Sequence, residues 1–226
     1  MSKSVLITGS TSGIGLGIAE VFAKNGYQIM FHGLEVNGAE IASNIGKKYK
    51  VNTAYSNANL LDSTAITQLI EETRRQLGSI DVLINNAGIQ YVSPIEDFPN
   101  EMYEKIIAIN MNAVFYACKA AWKHMKKQKF GRIINISSVH GIRASEFKSA
   151  YVTAKHGVVG MTKVMALEGA PYNITCNAIC PGYVKTPLVE NQIKDQAKAH
   201  QLSEDEVIEK IMLKKQFQQL TIIRKK

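Results

Sequence analysis

The sequence predicts an α/β fold, a single Rossmann-type doubly wound parallel sheet of six strands. Three observations predict it. Short apolar runs alternate with longer segments of helical spacing. The runs are continuous rather than alternating, as in strands buried on both faces. A glycine-rich turn follows the first of them, and right-handed crossovers bring such a turn to the ligand-binding edge of the sheet.

Taken in order, Val5-Leu6-Ile7 reads as the first strand and runs into Thr8-Gly9-Ser10-Thr11-Ser12-Gly13-Ile14-Gly15. The helix that follows carries Ile14, Ile18, Val21 and Phe22 on one stripe. Ile29-Met30-Phe31 is the second strand, and Val51 to Tyr55 a weaker one. Ile66, Leu69, Ile70 and Leu77 mark a further helix. Val82-Leu83-Ile84 is a strand that ends in Asn85-Asn86-Ala87-Gly88, and Ile133 to Ile136 a strand that ends in Ser137-Ser138. Between them lies an apolar helix, Ile106 to Ala117, interrupted by Asn110. Ile174 to Ile179 is the last strand, and residues 183–215 read as polar, helical excursions.

The 226 residues are 46% hydrophobic and 20% charged, enough for one domain over 1–226 with a sizeable core. No run approaches the roughly 20 apolar residues that span a bilayer, and the opening apolar run of three residues is too short for a secretory leader. Cys118, Cys176 and Cys180 have no metal-binding spacing. They suggest buried thiols in a reduced, cytoplasmic protein. Five of the eight net positive charges lie in residues 211–226, so the first 210 carry +3. Without a basic stripe interleaved with aromatics, nucleic acid is not an expected partner. Lys119, Lys123, Lys126, Lys127 and Lys129 read as the solvated face and end of a helix.

In the glycine-rich turn, Gly9 permits a tight bend, Gly13 lets backbone approach a pyrophosphate, and Gly15 lets helix and strand pack closely. The helix start adds N–H donors and a positive dipole end. Glycines also serve ordinary turns; the position between strand and helix favours a dinucleotide. Asn85 and Asn86 can tie strand ends together, while Ala87-Gly88 leaves room for a flat ribose. Tyr151 and Lys155 stand one helical turn apart, and a nearby cation favours a phenolate. Such a pair is usually structural when alone, but Ser138 lies at the carboxyl edge where ligands bind. A helix-interior Asn110 is either a satisfied core amide or a polar group with a task.

Together TGxxxGIG, NNAG, Asn110, Ser138, YxxxK and Pro181-Gly182 resemble the short-chain dehydrogenase/reductase family, in register from residue 3 to about residue 212. The resemblance implies that Tyr151 exchanges the proton with a substrate hydroxyl. Lys155 would bind the nicotinamide ribose and depress the Tyr pKa, Ser138 would hold the reacting oxygen, and Asn110 would hold a relay water. It implies cofactor contacts from Gly9, Thr11, Ser12, Gly13, Ile14 and Gly15, from Asn59 and Leu60, from Asn86, Ala87 and Gly88, and from Pro181, Gly182 and Val184. The segments around Gln90, Ser138-Val139-His140-Gly141, Lys148 and Cys180 to Val189 are similar to family members that act on D-3-hydroxybutyrate. That likeness implies that Gln90, His140, Lys148 and Gln192 bind a substrate carboxylate beside Ser138 and Tyr151. Each has a plainer reading: Lys148 as a surface lysine, Gln192 as a solvated helix residue, His140 on a loop carbonyl, Gln90 as a turn cap.

The expected function is hydride transfer between NAD and a small 3-hydroxy acid. The alternatives are an NADPH-dependent 3-oxoacyl reductase and a shortened remnant that at most binds dinucleotide. NAD is expected because Glu35 would repel the 2′-phosphate of NADP, although no acid stands directly at the end of the second strand. Asn59-Leu60 replaces the family's usual Asp-Leu, and Tyr183 replaces a tryptophan of the hydroxybutyrate enzymes. Weaker adenine binding and a smaller aromatic wall follow. Family members continue beyond the residue-214 region with a helix and a seventh strand. The basic stretch 216–226 therefore suggests a shortened chain, with an exposed apolar edge at Ile174–Ile179. The other expected partner is a second copy of the chain, as a dimer before the family's tetramer, and no membrane.

Overall fold

The computed structural model describes residues 2–184 and 186–213. Six parallel strands form one sheet: β1 (Ser4–Ile7), β2 (Gln28–His32), β3 (Thr53–Ser56), β4 (Val82–Asn85), β5 (Gly131–Ile136) and β6 (Ile174–Ile179). Their order is β3-β2-β1-β4-β5-β6, the doubly wound topology expected. The order reverses between β1 and β4, so the chains leaving those strands diverge to opposite faces and open a crevice at the carboxyl edge.

Helices α1 (Gly13–Lys24) and α2 (Gly38–Tyr49) cover one face. On the other lie α3 (Ser63–Leu77), α5 (Ala113–Gln128) and α6 (Ser149–Gly169), with α4 (Asn100–Ile107) leading into α5. Successive strand residues feed opposite cores. Val5, Ile7, Ile29 and Phe31 face α1 and α2, while Leu6, Met30, Leu83 and Ile133 face α3, α5 and α6. All eight are fully buried, each contributing about 1.5–3 kcal/mol of transfer free energy.

One boundary and one exposed face differ from expectation. The weak third strand starts at Thr53, because Lys50 takes a left-handed conformation (φ +56°) that closes α2 and places Val51 in the turn. On β6, Ile174 and Cys176 are buried but Thr175 and Asn177 point outward. Among the described residues β6 pairs with β5 alone, and its outer face is half polar rather than continuously apolar. Beyond it lie α7 (Pro187–His200), a short turn capped by Ser203 and Glu206, and a π-helical turn, Val207–Leu213. The expected basic tail at 216–226 falls outside the described residues. No helix among the described residues is long and apolar enough to cross a membrane.

Candidate active site

A crevice of about 610 Å³ runs along the carboxyl edge, from the glycine-rich turn, Glu35 and Asn59 at one end to Ser138, Tyr151 and Lys155 at the other. Its size suits a small-molecule ligand. The turn is close-packed. Gly9 and Gly13 have φ of +61° and +52°, and a Cβ on Gly15 would lie 2.0 Å from the Gly9 carbonyl oxygen. Asn86 ties the β4 end to this turn, its amide donating to the carbonyls of Thr8 (3.0 Å) and Gly9 (2.8 Å). Thr8 Oγ1 in return accepts from the N–H groups of Asn86 (2.9 Å) and Ala87 (3.1 Å). Asn85 reaches the other way, donating to Asn135 at 2.8 Å. The two asparagines do tie strand ends together.

Ser12 precedes α1 yet does not cap it, since its hydroxyl donates to Glu35 Oε1 at 3.1 Å. The first turn of α1 carries no acid, which leaves its N–H donors and dipole available to an anion. Thr11 and Gly15 do not line the crevice. They stand one layer back, Thr11 bonding Glu35 and Gly15 packing on Gly9 and Asn86.

Glu35 supplies the acid that β2 lacks at its end. The chain turns after Gly33 so that the carboxylate reaches back to Thr11 and Ser12. Burial raises its pKa, but hydrogen bonds from Thr11, its own backbone and Ser12 outweigh this and hold the carboxyl below its usual range. Asn59 lines the same end, with Oδ1 accepting the Leu61 N–H at 3.0 Å.

At the other end α6 presents Tyr151 and Lys155 one turn apart, with the Ser138 hydroxyl near enough to the phenol to lower its pKa. Ser138 Oγ also accepts the His140 N–H at 3.1 Å. Lys155 is buried, donates to the Ile136 carbonyl at 2.8 Å and lies 5.5 Å from the centre of the Tyr151 ring. Burial pulls its pKa to about 8. The Tyr151 pKa is raised, not depressed as expected: burial pushes it up and the Ser138 bond only partly offsets this. The ammonium sits over the ring and bonds a carbonyl, so it does not favour the phenolate oxygen directly.

Asn110 lies in a π-helical turn, Ala108–Asn112, between α4 and α5, and is fully buried. Its Oδ1 accepts the Ile89 N–H and its Nδ2 donates to the Ile89 carbonyl, both at 2.8 Å. The side chain expected to hold a water is instead committed to the loop after Gly88, and it fixes that wall of the crevice.

Gln90, His140, Lys148 and Gln192, the expected carboxylate ligands, do not line the crevice. Lys148 is no surface lysine. It is fully buried, with Nζ donating to the Tyr183 hydroxyl at 3.2 Å, and burial pulls its pKa to about 8. The His140 ring lies between Tyr151 (6.2 Å) and Tyr183 (6.0 Å). Gln192, 8% exposed, is not a solvated helix residue either. One turn further along α7, Gln196 is 1% exposed and its amide acts on the Tyr183 phenol. Gln90 donates to the Tyr91 carbonyl at 3.2 Å, leaving a buried Oε1 unpaired.

A short chain dehydrogenase family profile matches residues 3–197. The chain belongs to the short-chain dehydrogenase family. It is 45% identical over 218 residues to the D-beta-hydroxybutyrate dehydrogenase of Rhizobium meliloti, covering 96% of this chain and 84% of the relative. Over 217 residues it is 45% identical to the enzyme of that name from Cupriavidus necator, covering 95% and 83%. A solved structure of actinorhodin polyketide ketoreductase with NADPH matches with a TM-score of 0.87 at 30% identity, over 93% of this chain and 81% of that one.

Short-chain dehydrogenases bind a nicotinamide dinucleotide, and the residues here fit one. Gly9 and Gly15 let the turn pack closely on Ala87 and Asn86, uncapped α1 donors at Ser12, Gly13 and Ile14 face the crevice, and its far end holds the Tyr151 phenol beside the Ser138 hydroxyl. When bound, the nicotinamide supplies or accepts the hydride. Sequence reasoning about this dehydrogenase missed Gln196 and the crevice contributions of His32, Ile109, Thr186 and Val189. Only Gln196 had a legible signal, its four-residue spacing from Gln192 on one helix face.

Proposed function

We propose that this dehydrogenase transfers hydride between NAD and a small 3-hydroxy acid, interconverting D-3-hydroxybutyrate and acetoacetate. Lys148 carries the reading: a buried ammonium bonded to a neutral hydroxyl behind the crevice lining holds a positive charge that one substrate carboxylate would match. The 45% identity to two D-beta-hydroxybutyrate dehydrogenases supports it. Tyr151 takes the hydroxyl proton as the C3 hydride departs, and returns it in the reverse direction. Ser138 holds the reacting oxygen, and Lys155 keeps positive charge beside the phenol. Gln90, His140, Gln192 and Gln196 supply further polar groups around the acid. Glu35 favours NAD, since its carboxylate occupies the ground a 2′-phosphate would need.

The test is reduction of NAD followed by NADH absorbance, with D-3-hydroxybutyrate against its L enantiomer. D-selective turnover is expected, and turnover of neither enantiomer overturns the substrate assignment. Tyr151→Phe should lower kcat at least about 10³-fold while NADH affinity, read by fluorescence, changes little. A second reading, an NADPH-dependent 3-oxoacyl reductase, is favoured by the likeness to a ketoreductase solved with NADPH. Tighter binding of NADPH than NADH would select it. The outer faces of α5 and α6 expose Phe115, Tyr116, Val164 and Leu167, which supports a homodimer through those helices; light scattering of a monomer would refute that assembly.

A further inference from the structure

His32 ends β2 at the adenosine side of the crevice, and the proton and hydride chemistry makes no use of it. Its side chain is 3% exposed. Nδ1 accepts the N–H of Gly9 at 3.2 Å, and Nε2 faces the carbonyl of Ala58 at 2.9 Å. A backbone N–H can only donate and a carbonyl can only accept. The ring is therefore neutral, with its proton on Nε2. Gly9 opens the glycine-rich turn, and Ala58 precedes Asn59 on the facing wall. One imidazole thus spans both walls from beneath. The His32 backbone strengthens the tie, its carbonyl accepting the Ser10 N–H at 2.8 Å and its N–H donating to Ser10 Oγ at 3.0 Å.

We propose that His32 is a positioning residue for the dinucleotide: its neutral ring holds the Gly9 turn against the Ala58 loop, and protonation of that ring releases the turn and weakens dinucleotide binding. A proton on Nδ1 converts the acceptor into a second donor aimed at the Gly9 N–H. The two donors then face each other across a 3.2 Å contact, so relief requires the Gly9 turn to move away from the ring. The charged group acting on the ring is Glu35, which favours the cation. The glycine-rich turn brings Ser10 and Thr11 hydroxyls and the loop after β3 brings the Asn59 amide. Tyr55 of β3 is a neutral phenol bonded to the carbonyls of Gly33 and Glu35. Burial outweighs Glu35, and the ring titrates below its ordinary 6.5. The effect therefore belongs to the acid side, and by linkage bound dinucleotide pushes the titration lower still.

The inference rests on dinucleotide binding by the family and on neither the choice of NAD nor the substrate, so binding rather than turnover tests it. NADH and NADPH are titrated by fluorescence between about pH 5 and pH 8, against wild type and His32→Asn, whose amide can accept but cannot titrate. The wild-type Kd should be flat above about 6.5 and climb below it, approaching about tenfold per pH unit. The ratio of acid to neutral Kd should fall to within about threefold in His32→Asn. In labelled-histidine NMR, the His32 midpoint should move down when the tighter-binding dinucleotide saturates the protein. A flat wild-type Kd, an equal acid slope in His32→Asn, or a midpoint unmoved by dinucleotide would each overturn the proposal. So would loss of far-UV helix signal in parallel with affinity, which is acid unfolding. Failure of both dinucleotides to bind at pH 8 is a separate result, because it removes the binding site itself.

Discussion

A single side chain, Lys148, sets stability against function. Its pKa falls from 10.5 to about 8 because burial disfavours the ammonium, a penalty of roughly 3 kcal/mol at about 1.4 kcal/mol per unit. Below about pH 8 the lysine is charged in both folded and unfolded chains, so the penalty is felt in full. Between about 8 and 10.5 the unfolded chain holds the extra proton, and stability rises with pH. Lys148→Met should therefore raise Tm at pH 7, with an advantage that shrinks toward pH 10, while KM for the hydroxy acid rises about 100-fold or more. In the parent, KM should climb above about pH 8 as the ammonium neutralises; Lys148→Met should lose that climb. A destabilised Lys148→Met with unchanged KM would assign the lysine to packing instead. This burial was not legible in the chain, because Tyr183, which bonds Lys148, follows it by more than thirty residues. Glu35 was hidden for a related reason: three positions beyond β2, it becomes the missing acid only through the turn at Gly33. Tyr151 and Lys155 were readable because one helical turn fixes their relation locally.

Among the elements, strands buried on both faces were the most legible, since continuous apolar runs leave no other economical placement. The half-exposed β3 blurred by two residues because its side chains lie at the sheet edge. The π-helical turn at Ala108–Asn112 left only one trace, a polar residue in an apolar helix, and its cause is visible only in three dimensions. Asn110 satisfies both backbone groups of Ile89, in a loop that lines the crevice. Asn110→Leu keeps the branched shape but strands a buried donor and acceptor at about 1–3 kcal/mol each. Urea denaturation should show a loss of about 2–5 kcal/mol with the m-value unchanged, and the dinucleotide Kd should rise as the Ile89 wall loosens. A loss under about 1 kcal/mol would mean that Ile89 is solvated and that the clamp does not shape the crevice.

At the scale of the molecule, the two cores are not separable, because alternate residues of the same strands build both. Leu6 faces one and its neighbours Val5 and Ile7 the other, so unfolding either layer bares the sheet beneath the second. We expect a single cooperative domain, with one transition in thermal unfolding. Trp122, the only tryptophan, packs on the core under α3, α5 and α6, whereas far-UV circular dichroism reports helices on both faces. Their midpoints should coincide, and separated midpoints would divide the chain into two units. Dinucleotide sharpens the test, since the crevice takes its glycine-rich turn from the α1 side and Tyr151 and Lys155 from α6. At a concentration 100 times Kd the ligand adds about 2.7 kcal/mol. At about 2–4 °C per kcal/mol for a chain of this size, Tm should rise by about 5–10 °C in both probes together. A rise in the tryptophan signal alone would show that the glycine-rich turn takes no part in binding.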